Sequence, residues 1–135
     1  MDIHLAGSRP TRQAPKQYFT GTVWQDPIIA TAAPARIVST RVCFEPGART
    51  NWHSHPLGQT LYVISGVGRV QTKGEPVREI RPGDVVWIPP GEKHWHGGTP
   101  TNGMVHIAMQ ESLDGNYATW MEPVTDAEYS AKVGG

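Results

Sequence analysis

The sequence has little cysteine, no long hydrophobic run and no excess of charge of either sign. Cys43 is the single cysteine, so an internal disulfide is excluded and a reducing compartment such as the cytoplasm is favoured. Twelve basic residues balance twelve acidic ones, which argues against non-specific binding to nucleic acid or to an anionic membrane. No segment approaches the roughly 20 apolar residues that a membrane-spanning helix needs. The polar start of the chain predicts no secretion signal.

Glycine and proline interrupt the 135-residue chain at short intervals, with 15 glycines and 12 prolines. The runs between them are rich in β-branched and aromatic residues. Short strands separated by turn residues are typical of an all-β sandwich or barrel, and the length suits a single domain. We therefore expect an all-β protein with strands at residues 18–24, 36–45, 59–65, 69–73, 77–81, 84–88 and 104–111.

The two ends of the chain differ from this β-rich middle. Thr125 and Glu128 have the spacing of a capping box, which predicts a short helix that continues to about Val133, before two final glycines. The start of the chain is polar and contains prolines, which is typical of an arm. We expect three parts: an N-terminal arm at 1–17, a β-barrel at 18–124, and the short C-terminal helix with its tail at 125–135.

Six histidines are present, and five of them lie between residues 53 and 106. His53 and His55 are two apart, so on an extended backbone both imidazoles face the same side. Gln59 follows a turn and opens the next strand, and a barrel can bring the distant His94 alongside. A single histidine in a strand is more often a core or surface residue than a ligand. For two histidines at i and i+2, a metal site and a structural role are about equally favoured.

Glycine and proline frame these histidines in two patterns. The first, G-x5-H-x-H-x3-Q-x6-G, covers residues 47–66, and the second, G-x5-P-x-G-x2-H, covers residues 83–94. They resemble the two sequence motifs of the cupin family. The resemblance implies a single-domain cupin fold, which is a double-stranded β-helix or jelly-roll barrel. It also implies one metal ion per chain, held by His53, His55, Gln59 and His94.

Two positions depart from the usual motifs, because Gln59 stands where most cupins have Glu and Gly98 where many have Asn. Three neutral imidazoles and a neutral amide leave a divalent ion with its full charge, which favours Lewis-acid over redox chemistry. Imidazole accepts Mn(II), Fe(II), Co(II), Ni(II) or Zn(II). An octahedral ion keeps exchangeable positions beside four protein ligands, so we expect Mn(II) first and then Fe(II), ahead of tetrahedral Zn(II).

Other side chains share strand parity with the expected ligands and would surround the ion. His106 and His96 are either general bases or hydrogen-bonding supports for the ligands. Lys93 is either a positive charge at the site or a solvated loop residue. The rest of the wall would be mostly apolar, as in a small-molecule site. Its expected members are Thr40, Val42, Phe44, Leu61, Val63, Met104, Ala108 and Gln110.

Longer segments look like those of the small bacterial manganese cupins that act as hydroxynitrile lyases. These segments are FTGTV at 19–23, WHSHPLGQTL at 52–61, PGDVVW at 82–87 and PGEKHWHG at 90–97. In that family the matching ligand set includes a Gln, so Gln59 agrees with it. The resemblance implies cleavage of a cyanohydrin to an aldehyde or ketone and cyanide, or the reverse. His106 would accept the hydroxyl proton, and Lys93 or His96 would stabilise the departing anion.

Other functions stay open, because the cupin scaffold hosts many reactions. One alternative is a metal-dependent dioxygenase that cleaves carbon–carbon bonds, as among the cupins of aromatic catabolism. Another is a non-enzymatic module that binds a small molecule. The expected partners are a small-molecule substrate and further copies of the chain, in a homo-dimer or homo-tetramer made by sheet packing.

Overall fold

Short antiparallel strands make up most of the computed structural model, which describes residues 1–134. The strands are β1 (Arg12–Gln13), β2 (Phe19–Thr20), β3 (Val23–Ala30), β4 (Ile37–Phe44), β5 (Arg49–Thr50), β6 (His53–Ser54), β7 (Gln59–Gly66), β8 (Gly68–Thr72), β9 (Arg78–Ile80), β10 (Val85–Ile88), β11 (His94–Gly98), β12 (Met104–Glu111) and β13 (Thr119–Trp120). One helix, α1 (Asp126–Tyr129), follows them. The expected all-β class is confirmed. Within the described residues, no helix is long and apolar enough to cross a membrane.

The strands form two sheets. The first contains six strands in the order β1-β3-β4-β12-β7-β10. The second has the path β13-β6-β11-β5-β2, and β8 joins it by pairing with β11 and β9. Side chains from both sheets, among them Phe19, Val42, Phe44 and Val70, meet in one buried cluster. The sheets therefore enclose the core between them, as in a jelly-roll barrel.

Strand β12 illustrates how the six-stranded sheet separates its two faces. Its positions 104, 106, 108 and 110 are buried, whereas the positions between them are partly or fully exposed. This alternation follows from the period of two along a strand. Because β12 pairs with β7 so that Gln110 lies opposite Gln59, both side chains point to the enclosed side. The sheet therefore presents one row of polar side chains to the interior.

The second sheet brings the two histidine motifs together. Strand β11 pairs with β6, and His94 lies directly opposite His53, as expected from a barrel. The same strand also pairs with β5 and β8. Gly97 makes this close approach possible, because a Cβ at that position would lie 2.3 Å from the carbonyl oxygen of Ala48.

The expected capping box at the start of α1 is confirmed. The Thr125 side chain accepts from the backbone N–H of Glu128, and the Glu128 side chain accepts from the N–H of Thr125. The expected continuation to about Val133 is wrong, because α1 has only four residues and Val133 forms a parallel β-bridge with Val77. That bridge supplies backbone hydrogen bonds to this segment in an extended conformation, in place of those of a helix. Gly135, which was expected to end the helix, lies outside the described residues.

The end of the N-terminal arm is part of the first sheet. β1 pairs with β3, and the side chain of Ala14 is buried. The single strand expected at residues 18–24 is instead divided between β2 and β3. Gly21 causes this break, because its φ of +80° is a left-handed conformation and a Cβ there would lie 2.9 Å from Ala48 Cα.

Candidate metal centre

Two elements of the second sheet and the start of β7 bring the motif side chains together. His53 lies in β6, His94 in β11 and Gln59 at the first position of β7, while His55 lies in the loop after β6. The ring centroid of His53 is 4.2 Å from that of His94 and 5.0 Å from that of His55. All four side chains are between 0 and 4% exposed. The four residues expected to bind a metal therefore meet at one buried point.

A backbone carbonyl orients each of the three imidazoles through its Nδ1 atom. The pairs are His53 with Asn51 at 2.9 Å, His94 with Glu92 at 2.9 Å, and His55 with Tyr117 at 2.6 Å. Because a carbonyl oxygen only accepts, Nδ1 is the protonated nitrogen and donates in each pair. The lone pair of each Nε2 is thereby left for another partner. This arrangement is typical of metal-binding histidines.

The amide of Gln59 completes the group. Its Nε2 donates to Gln110 Oε1 at 3.0 Å, which leaves its Oε1 facing the imidazoles, 3.1 Å from Nε2 of His94. With the His94 proton on Nδ1, these two atoms are both acceptors. A cation shared between two acceptors removes their repulsion, so this contact fits a metal ion.

Burial keeps the imidazoles neutral. Desolvation lowers the pKa of His53 and of His55, and it lowers the pKa of His94 to about 4. For His53, the neighbouring imidazoles of His94 and His55 lower the pKa further. A neutral imidazole is the form that binds metal. At neutral pH, therefore, no proton has to leave these rings before an ion binds.

Unpartnered buried atoms support the same interpretation. Among the described residues, His55 Nε2, His96 Nε2 and His106 Nδ1 are buried ring nitrogens without a hydrogen-bond partner. An unsatisfied buried polar group costs about 1–3 kcal/mol, so a native fold normally supplies a partner. A divalent ion beside His55 would supply a partner for its Nε2. The neutral nitrogen and amide-oxygen donors fit Mn(II), Fe(II) or Zn(II).

His96 lies closer to the expected ligands than the sequence indicated. Ring nitrogens of His53, His94 and His96 lie within 4.8 Å of one another, so His96 is a further candidate ligand. The signal in the sequence was its shared parity with His94. On its other side, His96 Nδ1 lies 2.9 Å from Nε2 of His106. Burial lowers the pKa of His96 and lowers that of His106 to about 4, so both rings are neutral at neutral pH.

A cavity of about 70 Å³ lies beside the histidines. Five of the residues expected in its wall line it, namely Thr40, Val42, Phe44, Ala108 and Gln110. Leu61, Val63 and Met104 do not line it, because they are almost fully buried and pack into the core behind the wall. The sequence did not indicate five further lining residues, which are Phe19, Gln25, Thr50, Tyr117 and Trp120. Four of them come from segments outside the two motifs, and Thr50 is at an unspecified position of the first motif.

The structure does not bring Lys93 to this cavity. Its ammonium group pairs with the carboxylate of Glu122 and lies 5.6 Å from the ring centroid of Trp52. Lys93 directly precedes His94, and adjacent side chains along extended backbone point to opposite sides. The expected contact between Lys93 and a departing anion is therefore wrong for this geometry.

A wider groove of about 670 Å³ lies between β8, β9 and β10. Its wall is rich in carboxylates and contains no histidine. The buried histidines and their neutral donors belong to the smaller cavity. The small cavity is therefore the better candidate for chemistry.

Comparisons with known proteins agree with this geometry. Residues 40–109 match the cupin domain family. The chain is 54% identical over 129 residues to a protein named (R)-mandelonitrile lyase from Granulicella tundricola, covering 96% of this chain and 98% of that protein.

Solved structures with the same fold include proteins of differing function. A cupin-like protein from Thermotoga maritima superposes with a TM-score of 0.82 at 41% identity, over 96% of this chain and 95% of that one. The polyketide cyclase RemF from Streptomyces resistomycificus has a TM-score of 0.62 at 20% identity, over 79% of this chain and 75% of that one, which supports the fold alone. With two motifs, a buried histidine cluster and these matches in agreement, the chain belongs to the cupin family.

Proposed function

We propose that this chain is a metal-dependent hydroxynitrile lyase that cleaves a cyanohydrin to an aldehyde or ketone and cyanide, and catalyses the reverse addition. The observation that carries the proposal is the buried, uncharged donor set of three imidazoles and one amide beside a small cavity. The named activity of the 54% identical relative supports the same reaction. An ion held only by neutral donors keeps its full charge, which suits activation of a hydroxyl group.

The proposed ligands are His53, His55, Gln59 and His94. When bound, a divalent ion at these residues supplies a Lewis acid that lowers the pKa of the substrate hydroxyl. The protein contributes the orientation, because the carbonyl contacts at each Nδ1 hold the three rings in place. Gln110 holds the amide of Gln59 in the same way. We propose Mn(II) as the ion, since it accepts six ligands and leaves positions for substrate.

The pair of His96 and His106 is the proposed proton acceptor. His96 is not among the proposed ligands, so its buried, unpartnered Nε2 keeps a lone pair beside the cavity and can take the hydroxyl proton. Its Nδ1 proton can then pass to Nε2 of His106 across the 2.9 Å contact. This arrangement places His106 behind His96. His106, which was expected to be the base, is therefore proposed to be the final acceptor of the proton. Both rings are neutral beforehand, as a base must be.

Bond cleavage needs a partner for the departing anion. As the C–O⁻ group becomes a carbonyl, the electron pair of the C–C bond leaves on the cyanide carbon. Gln110 lines the cavity and its amide nitrogen is free to donate a hydrogen bond there, since its Oε1 accepts from Gln59. The proton held by the histidine pair then returns to cyanide, which leaves as HCN.

We also propose self-association through the outer face of the six-stranded sheet. This face carries rows of mostly apolar side chains that the strand register makes continuous, namely Trp24, Cys43 and Val105; Ile107, Tyr62 and Val85; and Met109, Thr60 and Trp87. Asp26 and Arg41 form its ion pair at 3.8 Å. A second copy related by a two-fold axis would pack its apolar rows against those of the first. Asp26 of each copy would then be able to pair with Arg41 of the other. We propose a homo-dimer made in this way, in the cytoplasm, where a lone Cys43 stays reduced.

The first experiment measures benzaldehyde and HCN released from racemic mandelonitrile by Mn(II)-loaded protein at mildly acidic pH, where the spontaneous reaction is slow. The controls are chelator-treated protein and the His53→Ala, His55→Ala double variant. Metal-dependent release above both controls would support the lyase. A smaller cyanohydrin, that of acetone, tests whether the 70 Å³ cavity excludes the aromatic substrate.

A second function has a specific observation in its favour, because three clustered imidazoles also suit iron-dependent oxygenases. Oxygen uptake by Fe(II)-loaded protein tests it. Fully metallated protein that releases no cyanide from either cyanohydrin would contradict the lyase proposal and leave the metal site standing.

A further inference from the structure

Two of the metal-site histidines depend on a segment outside the matched cupin domain. We define the strap as residues 117–122, which follow the family match that ends at residue 109. The strap crosses β6 and pairs with it, so that Trp120 lies opposite His53. Backbone bonds anchor it further, from Met121 N–H to Trp52 O at 2.8 Å and from Trp52 N–H to Glu122 O at 3.0 Å.

Trp120 packs directly against a proposed ligand. Its ring stacks on that of His53, with centroids 4.6 Å apart and planes 29° apart. Tyr18 stacks on Trp120 with the same centroid distance and an angle of 12°, and Phe19 contacts it at 5.6 Å. The indole is therefore held by two aromatic neighbours and in turn fixes the plane of the imidazole. Stacked aromatic pairs of this kind have a preferred geometry as well as an attraction.

The strap also orients a second ring in a way that differs from the other ligands. The Nδ1 atoms of His53 and His94 donate to carbonyls two residues earlier in the chain, so those orientations are local. The Nδ1 atom of His55 donates to Tyr117 O, which is 62 residues away. Its Nε2 is buried and unpartnered, so the strap aims this atom at the site.

We infer that the strap is a positioning element of the metal centre and that Trp120 is its principal positioning residue. The inference rests on the metal site of the proposed function, but not on the reaction. Trp120 holds the His53 ring so that its Nε2 faces the other donors, and Tyr117 does the same for His55 through its carbonyl. Residues that orient metal ligands typically contribute about 10- to 100-fold to metal affinity.

The test is the Kd for Mn(II), measured from free Mn(II) by electron paramagnetic resonance, together with the Tm of the metal-free and metal-loaded proteins. Trp120→Leu fills space without a flat ring, and we expect its Kd to rise by about 10-fold. Trp120→Phe keeps a stacking ring, and we expect a Kd within about 3-fold of the wild-type value. Tyr129→Leu is the matched control, because that buried ring belongs to a separate cluster and packs on Trp95, and we expect its Kd to stay unchanged while its Tm falls.

The outcomes separate positioning from a merely structural role. A purely structural residue would lower both Tm values equally and leave the Kd unchanged, and that result for Trp120→Leu would overturn the inference. An equal loss of affinity in the Phe and Leu variants would also overturn it, because stacking would then be irrelevant. Wild-type protein that binds no Mn(II) or Zn(II) would remove the inference together with the metal site. Protein that binds Mn(II) but cleaves no cyanohydrin would remove only the lyase proposal.

Discussion

The two faces of the six-stranded sheet are built by the same strands and differ in chemistry. On the inner face, β12 and β7 place His106, Gln110 and Gln59 among buried apolar residues. On the outer face, most of the positions between them carry apolar side chains, and Tyr62 is 42% exposed. Since successive residues alternate between the faces, each one-residue step changes the environment completely. The interior therefore adds a polar cluster to an apolar core, and the exterior carries several exposed apolar side chains where a water-facing sheet is usually polar.

This difference indicates that the two faces have separate functions. Buried polar groups cost free energy unless they are paired, so the inner histidines and glutamines are best explained by a ligand that pairs them. An exposed apolar face costs solubility and is best explained by a partner. Substitutions on one face should therefore change metal binding and catalysis, and those on the other should change assembly only.

The largest expected effect follows removal of an inner metal ligand. His94→Ala should lose most of its bound Mn(II) and about 10³-fold in kcat/KM for a cyanohydrin, because the Lewis acid contributes several kcal/mol to the transition state. Metal analysis of the purified protein and the cyanide-release assay check this. The matched control is His4→Ala, since His4 is the exposed histidine of the N-terminal arm. Full activity in His94→Ala would contradict the proposed site.

The next effect concerns the proton acceptor on the same face. His106→Ala should lower kcat by about 10²- to 10³-fold while Mn(II) content stays unchanged, because a positioned base contributes that much. His106→Gln is the informative variant, since its amide oxygen can still accept from His96 but does not take up a proton. A comparable loss in both variants supports proton transfer to His106. Rescue by Gln would show that His106 only supports His96.

A smaller effect follows from the charge of the donor set. Gln59→Glu adds a carboxylate to the ion and should tighten Mn(II) binding by about 10-fold, while kcat falls by about 10-fold because the ion becomes a weaker Lewis acid. The variant also loses the bond from the Gln59 amide to Gln110. Gln25→Glu places a carboxylate on the cavity wall outside the donor set and is the control. If kcat rises in Gln59→Glu, the Lewis-acid argument fails.

Much of the inner face could be predicted from the sequence. Its strands are long enough for alternation to be recognised, and its motif glycines stand at fixed spacings from the histidines. Strands β4, β7 and β12 lie within a residue or so of their expected bounds, and the convergence of His53, His55, Gln59 and His94 follows from parity and from the resemblance to cupins. The same parity placed Ala108 and Gln110 in the cavity wall.

The second sheet was harder to predict, for a physical reason. Strands β5, β6 and β13 have two residues each, which is too short for an alternating pattern to be recognised. Their conformation is set by pairing with distant segments, such as Trp120 opposite His53. Thr50 on β5 and Trp120 on β13 therefore carried no local signal of their place in the cavity wall. The role expected for Lys93 was wrong because nothing local in the sequence indicated its pairing with Glu122.

The smallest effect on catalysis is expected on the outer face, where Tyr62→Lys tests the comparison directly. Tyr62 lies between Ile107 and Val85 in the central apolar row, so an ammonium group there would be buried unpaired in a dimer and would separate the two copies. Light scattering after size-exclusion chromatography should show a monomer, and kcat/KM should stay within about 2-fold, because adjacent Leu61 and the inner face are unchanged.

Tyr62→Phe keeps the apolar surface and should remain a dimer, so it controls for loss of the aromatic ring. A tetramer in the wild-type protein that Tyr62→Lys reduces to a dimer would identify this face as one of two interfaces. An unchanged mass in the Lys variant would exclude the outer face as the interface. A monomeric variant with a large loss of kcat/KM would mean that assembly supports the metal centre, and the two faces would then not act separately.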